Sequence, residues 1–312
     1  MPASSPPVRD QARSIPPWLG EFIFLSSLWG ASFLFTRIAV VEFGTLPTVG
    51  LRVALASLFL LPLLLRSADW PAFKRHWRPV LLVGIINAAI PFSLFAWAVV
   101  YIPTGLSSIL NATVPLFGAL VALLWLGERI APLRWLGLGL GFAGVALLTW
   151  GAPVASGLGG LSNGPTSWAI AACLLASTCY AVGASFVQRY LQGVPALVNA
   201  TGSMIGAALA MALPTLWAWP QQMPSLRAWA AVAAIALLCT GLAYLLYFRL
   251  IMRAGPSRAL AVTFLSPVFA LCYGAIFLGE DITLWMVGCG VIIICGTMLS
   301  TGLLGRIRQN PN

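Results

Sequence analysis

Residues 115–130 read PLFGALVALLWLGERI, and residues 267–282 read PVFALCYGAIFLGEDI. The prolines and the glutamates of the two stretches keep one offset, since 267 − 115 and 280 − 128 both give 152. A second pair lies earlier in each half, GASF at 30–33 and again at 183–186. Self-similarity at a constant offset marks a chain of two similar halves. Each quoted stretch is also part of an apolar run of about 20 residues, enough to cross a hydrocarbon core. About ten such runs recur, near residues 19–41, 46–66, 79–100, 103–126, 132–151, 167–190, 195–218, 227–252, 256–279 and 283–304.

Composition agrees with a life in lipid. Of the 312 residues, 60% are hydrophobic and 8% charged, where a soluble domain carries about a quarter charged. A chain buried in a bilayer satisfies its backbone as helices or as a closed barrel. The runs are continuous rather than alternating, so the spans read as helices. The fold class predicted is all-α integral membrane, with ten transmembrane helices as two inverted five-helix repeats. An odd number of spans per half turns the second half upside down relative to the first, the layout expected of alternating access. The parts are a disordered Pro/Ser-rich tail (1–17), a first five-helix repeat (18–151), a Gly/Ser/Pro linker (152–166), a second repeat (167–304) and a C-terminal tail (305–312).

The net charge of +10 reflects topology rather than nucleic-acid binding, because basic residues gather in cytoplasmic loops. With both termini cytoplasmic, Arg37, Arg52 and Arg227 lie at or near the outer face, and the remainder of the 17 Lys and Arg fall inside. The opposite orientation inverts this split. The six cysteines all lie in apolar runs without C-x-x-C spacing, and His76 is the single histidine. No metal site, disulfide framework or cofactor is expected. No G-x-x-x-x-G-K-[ST] loop is present, which excludes ATP hydrolysis by that motif.

The P-x-F…LGE hairpin at 115–128 and 267–280, the ten-span layout and the five-plus-five repeat resemble the EamA family of the drug/metabolite transporter superfamily. The resemblance extends over about residues 19–304. It implies an exporter of amino acids or other small metabolites, xenobiotics included, in a bacterial inner membrane, and it leaves the substrate open.

Candidate binding residues come from the prolines. A helical proline lacks an N–H and frees the carbonyl four residues back. For Pro91, Pro115 and Pro267 those positions are Asn87, Asn111 and Thr263, each polar. Either each polar side chain re-satisfies its kink, or the kinked helices line a polar cavity with the prolines as hinges. Trp29, Tyr101, Tyr180 and Tyr244 are the candidate aromatic wall, suited to an amphipathic metabolite. Gly30, Ala31, Ser32 and their copies read as close helix contacts, and Trp18, Trp77, Trp217, Trp219 and Trp229 as an interfacial belt. Arg52 sits about one to two turns inside the second span. Snorkelling to the headgroups is the expectation there, and carboxylate binding the alternative.

None of the seven acids falls at midplane, so facilitated transport is expected, with Glu21 at the start of the first span the one coupling candidate. The expected partners are a small-molecule substrate and membrane lipids, without nucleic acid, the chain acting as a monomer or homodimer. A multidrug exporter, a channel and a lipid-modifying enzyme are the alternatives. The last would want clustered acids or a histidine nucleophile at the interface.

Overall fold

The structure, a computed structural model, describes residues 18–127, 130–155, 164–255, 259 and 261–301. Both expected tails, the middle of the expected linker and Glu128 lie outside the described residues. Those residues form helices and no strand. The helices are α1 (Leu19–Phe43), α2 (Thr45–Arg66), α3 (Trp70–Tyr101), α4 (Thr104–Leu126), α5 (Pro132–Ala155), α6 (Gly164–Tyr190), α7 (Ala196–Trp217), α8 (Leu226–Ala254), α9 (Val262–Leu278) and α10 (Leu284–Ser300). The first eight contain segments long and apolar enough to cross a membrane; α9 and α10 are apolar but shorter, at 17 residues each. Helix runs past the expected linker bounds on both sides, to Ala155 and from Gly164.

Apolar side chains lie outside the bundle as well as within it. Leu124, Leu213, Trp217 and Leu284 are between 78% and 91% exposed, a surface made for lipid tails rather than water. Lipid provides little drive for helices to associate, so small residues must let backbones meet. At the α5–α10 contact a Cβ on Gly296 would run into the backbone of Gly141 and Gly137. At α3–α7, Gly84 faces the Ser203 carbonyl and Gly206 faces that of Leu81. At α1–α9, Gly30 abuts the Ser266 carbonyl. The most extensive pairings are α5–α10, α3–α6, α2–α7, α3–α7, α1–α9, α4–α6, α1–α8 and α2–α8.

The repeated LGE element is a helix stop. Gly127 closes α4 at φ 69° and Gly279 closes α9 at φ 65°, both left-handed. A side chain disfavours that conformation, which is why glycine stands there twice.

Several helices are interrupted. In α3 the turn Ile85–Ala89, just before Pro91, is π-helical. The helix of α4 breaks at Ala112 and Thr113, just before Pro115. Pro267 leaves α9 unbroken from Val262 to Leu278. A nine-residue π segment, Ala234–Leu242, occupies α8, where no proline foretold it.

Candidate functional site

The interruptions at Ile85–Ala89, at 112–113 and at Ala234–Leu242 converge on one cavity. A space of about 290 Å³ lies among α1, α2, α3, α4, α6, α8 and α9. Asn87 enters it from the π turn of α3, Asn111 from the break in α4, and Cys239 and Thr240 from the π segment of α8. Irregular backbone at membrane depth is tolerated where it lines such a space, and π turns are frequent at functional sites.

The break in α4 explains why Asn111 is available. The Leu110 carbonyl accepts hydrogen bonds from the Thr113 hydroxyl at 2.6 Å and from the Ser177 hydroxyl of α6 at 3.2 Å. The Thr297 hydroxyl of α10 donates to its own Ile293 carbonyl at 2.6 Å and only approaches the Ala112 carbonyl, at 3.4 Å. The Thr113 hydroxyl of α4 itself and the Ser177 hydroxyl of α6 therefore satisfy the Leu110 carbonyl at the break, and Asn111 Oδ1 is not consumed by it. Asn111 Oδ1 is buried and has no hydrogen-bond partner among the described residues. Such an acceptor costs about 1–3 kcal/mol to leave unpaired, so a ligand donor would find it ready.

Aromatic rings supply the apolar wall. Tyr180 stacks on Phe95 with centroids 6.2 Å apart and meets Phe92 edge-on. Trp29 packs at 5.3 Å against Tyr247. Tyr244 stacks with Phe248 at 6.1 Å, just beyond the wall. The second GASF element bears on the same place, because Gly183 leaves room for the Asn87 side chain and Ala184 lines the wall. In the first element, Gly30 makes a close helix contact while Ser32 faces the space.

Of the residues expected from sequence, Trp29, Asn87, Asn111, Tyr180, Tyr244 and Thr263 line this cavity together. Tyr101 does not join them. It ends α3, packs on Trp97 at 4.9 Å and faces a lateral groove with Trp168. Glu21 is also remote: its Oε1 pairs with Arg249 Nε at 3.0 Å and with Arg253 at 2.6 Å, at one end of the bundle. The other described acids lie at helix ends or in loops too. Glu42 accepts from Ser225, and Glu280 from Thr104. No acid is among the residues lining the cavity.

Arg52 departs from the expectation of snorkelling. Its side chain turns inward and lines the cavity. The guanidinium lies 3.7 Å from the centroid of the Phe92 ring, and Nε donates to Thr240 Oγ1 at 3.0 Å. Thr240 in turn donates to the Ile235 carbonyl at 2.8 Å, a bond belonging to the π segment. The sequence carried one signal for this, an arginine more than a turn inside an apolar run, but not the face of α2 on which it lies.

Comparison with known proteins gives a consistent picture. A family model described as the EamA-like transporter family matches twice, at residues 18–150 and 167–302. The chain is 28% identical to the uncharacterized inner membrane transporter YedA of Escherichia coli K12, over 93% of this chain and 92% of the relative. It is also 28% identical to a probable terminal-alkyne amino-acid exporter of Streptantibioticus cattleyicolor, over 90% and 92%. A solved crystal structure superposes with a TM-score of 0.64, covering 94% of this chain and 99% of the other. At 21% identity that likeness shows the fold alone.

Proposed function

The chain belongs to the EamA-like transporter family, and from that premise we propose that it is a secondary carrier exporting small organic metabolites, amino acids foremost, across the cytoplasmic membrane. It works by alternating access with ten helices arranged as two inverted repeats, both termini cytoplasmic. The observation that carries this reading is the cavity. It gathers amides, hydroxyls and aromatic rings from α1, α3 and α4 in one half and α6, α8 and α9 in the other, and carriers bind at such repeat interfaces.

Several observations support the architecture. At about 1.5 Å per residue, α9 and α10 run about 25 Å, close to the roughly 30 Å core, and each packs along a full-length partner. Exchanging each helix with the one five places on maps the most extensive pairings onto themselves. Thus α2–α7 and α5–α10 are unchanged, while α1–α9 becomes α4–α6, α3–α6 becomes α1–α8, and α3–α7 becomes α2–α8. The twofold family match and the shared glycine stops at 127 and 279 point the same way. The proposed orientation is supported by the basic residues Arg66, Lys74, Arg75, Arg78, Arg249 and Arg253, which gather toward one end of the bundle.

The size of the cavity favours a metabolite over a large drug, since small-molecule pockets run from about 300 to 1,000 Å³. The description of one relative as a probable terminal-alkyne amino-acid exporter agrees. With no acid lining the cavity, transport is facilitative. The test is flux of labelled aromatic and aliphatic amino acids into liposomes carrying the purified protein, with and without a pH gradient. Saturable flux without a gradient, lost in Asn111→Ala and in Trp29→Ala, supports the reading. No amino-acid flux under either condition, with flux of apolar drugs instead, overturns it in favour of a multidrug exporter.

A further inference from the structure

Arg52 is the one charged group among the residues lining the cavity, and no carboxylate faces it there. A buried charge is expensive unless paired, and a purely structural arginine in lipid would be expected to reach an acid or the headgroups. This one does neither. Among the described residues, its side chain lies over the face of Phe92 and donates to the hydroxyl of Thr240. Both spend the flat side and the Nε–H edge of the guanidinium. They fix its plane and leave the donors of its two terminal nitrogens for the cavity. That outer pair of N–H groups matches the two oxygens of a carboxylate in a parallel fork. Hydroxyl and ring act here as a mount, setting the fork before a ligand arrives, so little rotamer entropy remains to be lost on binding.

We propose that Arg52 is the anion-recognition residue of the carrier, and that its substrates are small amphipathic molecules bearing a carboxylate. The proposal rests on the carrier reading above and narrows it. The rest of the cavity fits such a molecule. Asn111 Oδ1 is a buried acceptor without a partner among the described residues, suited to a substrate N–H or O–H. Trp29, Tyr180 and Tyr244 present ring surface for an apolar side chain. With no acid in the wall, an amine lacking a carboxylate would meet the positive charge of Arg52 uncompensated. The same logic excludes cationic drugs as good substrates. Phosphate esters, which need more than one cation, are poorly served by a single arginine.

Binding to the purified full-length protein, read by tryptophan fluorescence and by thermal shift, decides the matter with four probes: L-phenylalanine, 3-phenylpropanoate, L-phenylalaninamide and phenethylamine. Wild-type protein is expected to bind the two carboxylates at least about ten-fold more tightly than the amide or the amine, the range of a charge-assisted pair. Arg52→Gln removes that preference, Arg52→Lys keeps part of it because charge stays and the fork goes, and Thr240→Val weakens it by freeing the fork. The comparison among ligands needs only the wild-type chain, so it stands even if Arg52→Gln does not fold. Equal or tighter binding of the amide and the amine overturns the role of Arg52 and leaves the carrier reading intact. Binding of 3-phenylpropanoate without phenylalanine keeps Arg52 and overturns the amino-acid reading. Failure of all four to bind overturns both.

Discussion

The carboxylate of Glu280 accepts the backbone N–H of Thr104 at 2.9 Å and its hydroxyl at 2.7 Å. The loop between α9 and α10 is thereby fastened to the first turn of α4, 176 residues away in sequence. An anion at a helix N-terminus meets unpaired N–H groups and the positive end of the helix dipole. Gly279, in the left-handed conformation just before it, turns the chain so that the carboxylate can reach back.

Glu280→Ala should therefore lower stability by about 1–3 kcal/mol, the scale of hydrogen bonds to a charged group. Glu280→Gln should lose less, because an amide oxygen still accepts. Thr104→Val, which removes the hydroxyl but keeps the N–H, should be the mildest. Thermal unfolding in detergent ranks the three, and a ranking in which Thr104→Val is worst would place the stabilisation elsewhere.

How much of this could be read beforehand depended on whether the cause was local. Pro91 and Pro115 foretold the interruptions beside them, because a missing N–H is written in the sequence, whereas Pro267, read the same way, leaves α9 unbroken. The LGE repeat was legible as a motif at one offset, and the structure adds that its glycines at 127 and 279 stop their helices. The π segment of α8 was not legible. No proline causes it, and its supporting bond, from Thr240 to the Ile235 carbonyl, is made only once the helix has formed. Depth along a helix was legible and azimuth was not. Arg52 was placed correctly along α2, but its inward face follows from packing against α3 and α8. Tyr101 failed for the converse reason, having the right chemistry at the end of α3 and the wrong face.

Asn111 separates binding from folding. Its Oδ1 has no partner among the described residues, so Asn111→Leu removes no protein hydrogen bond at that atom and should leave the melting temperature unchanged or raised. Thr113→Val is the contrast, since it deletes a buried bond to the Leu110 carbonyl and should cost about 1 kcal/mol. Substrate flux should reverse the order, with Asn111→Leu the more damaged of the two. Equal loss of stability in both would make Asn111 a structural residue.

The α5–α10 seam tests the membrane-packing argument. A Cβ at 296 meets backbone atoms of Gly141 and Gly137, which cannot rotate away as a side chain could. Gly296→Ala should separate the helices locally and cost about 1–3 kcal/mol, the usual range for overpacking. Gly139, with open space around its Cβ position, should accept alanine with little change. The readout is the folded fraction in detergent by size-exclusion profile and thermal unfolding. Similar behaviour of the two variants would mean that the seam does not rest on backbone approach.

Glu21 bears on energy coupling. It holds Arg249 and Arg253 at the end of the bundle, with both arginines about half exposed. Glu21 itself is only 17% exposed, but ion pairs whose cations are open to solvent contribute about 0–1 kcal/mol, so Glu21→Gln should change the melting temperature by only a few degrees. If transport is facilitative, the variant should also keep its flux with and without an imposed pH gradient. The pairing tethers α1 to α8, so the variant can alter the rate of exchange between conformations, seen as a change in maximal flux at constant half-saturating concentration. A wild-type flux driven by a proton gradient and abolished in Glu21→Gln would instead make this carboxylate the coupling site. The arginines beside it would then have to release it when it binds a proton.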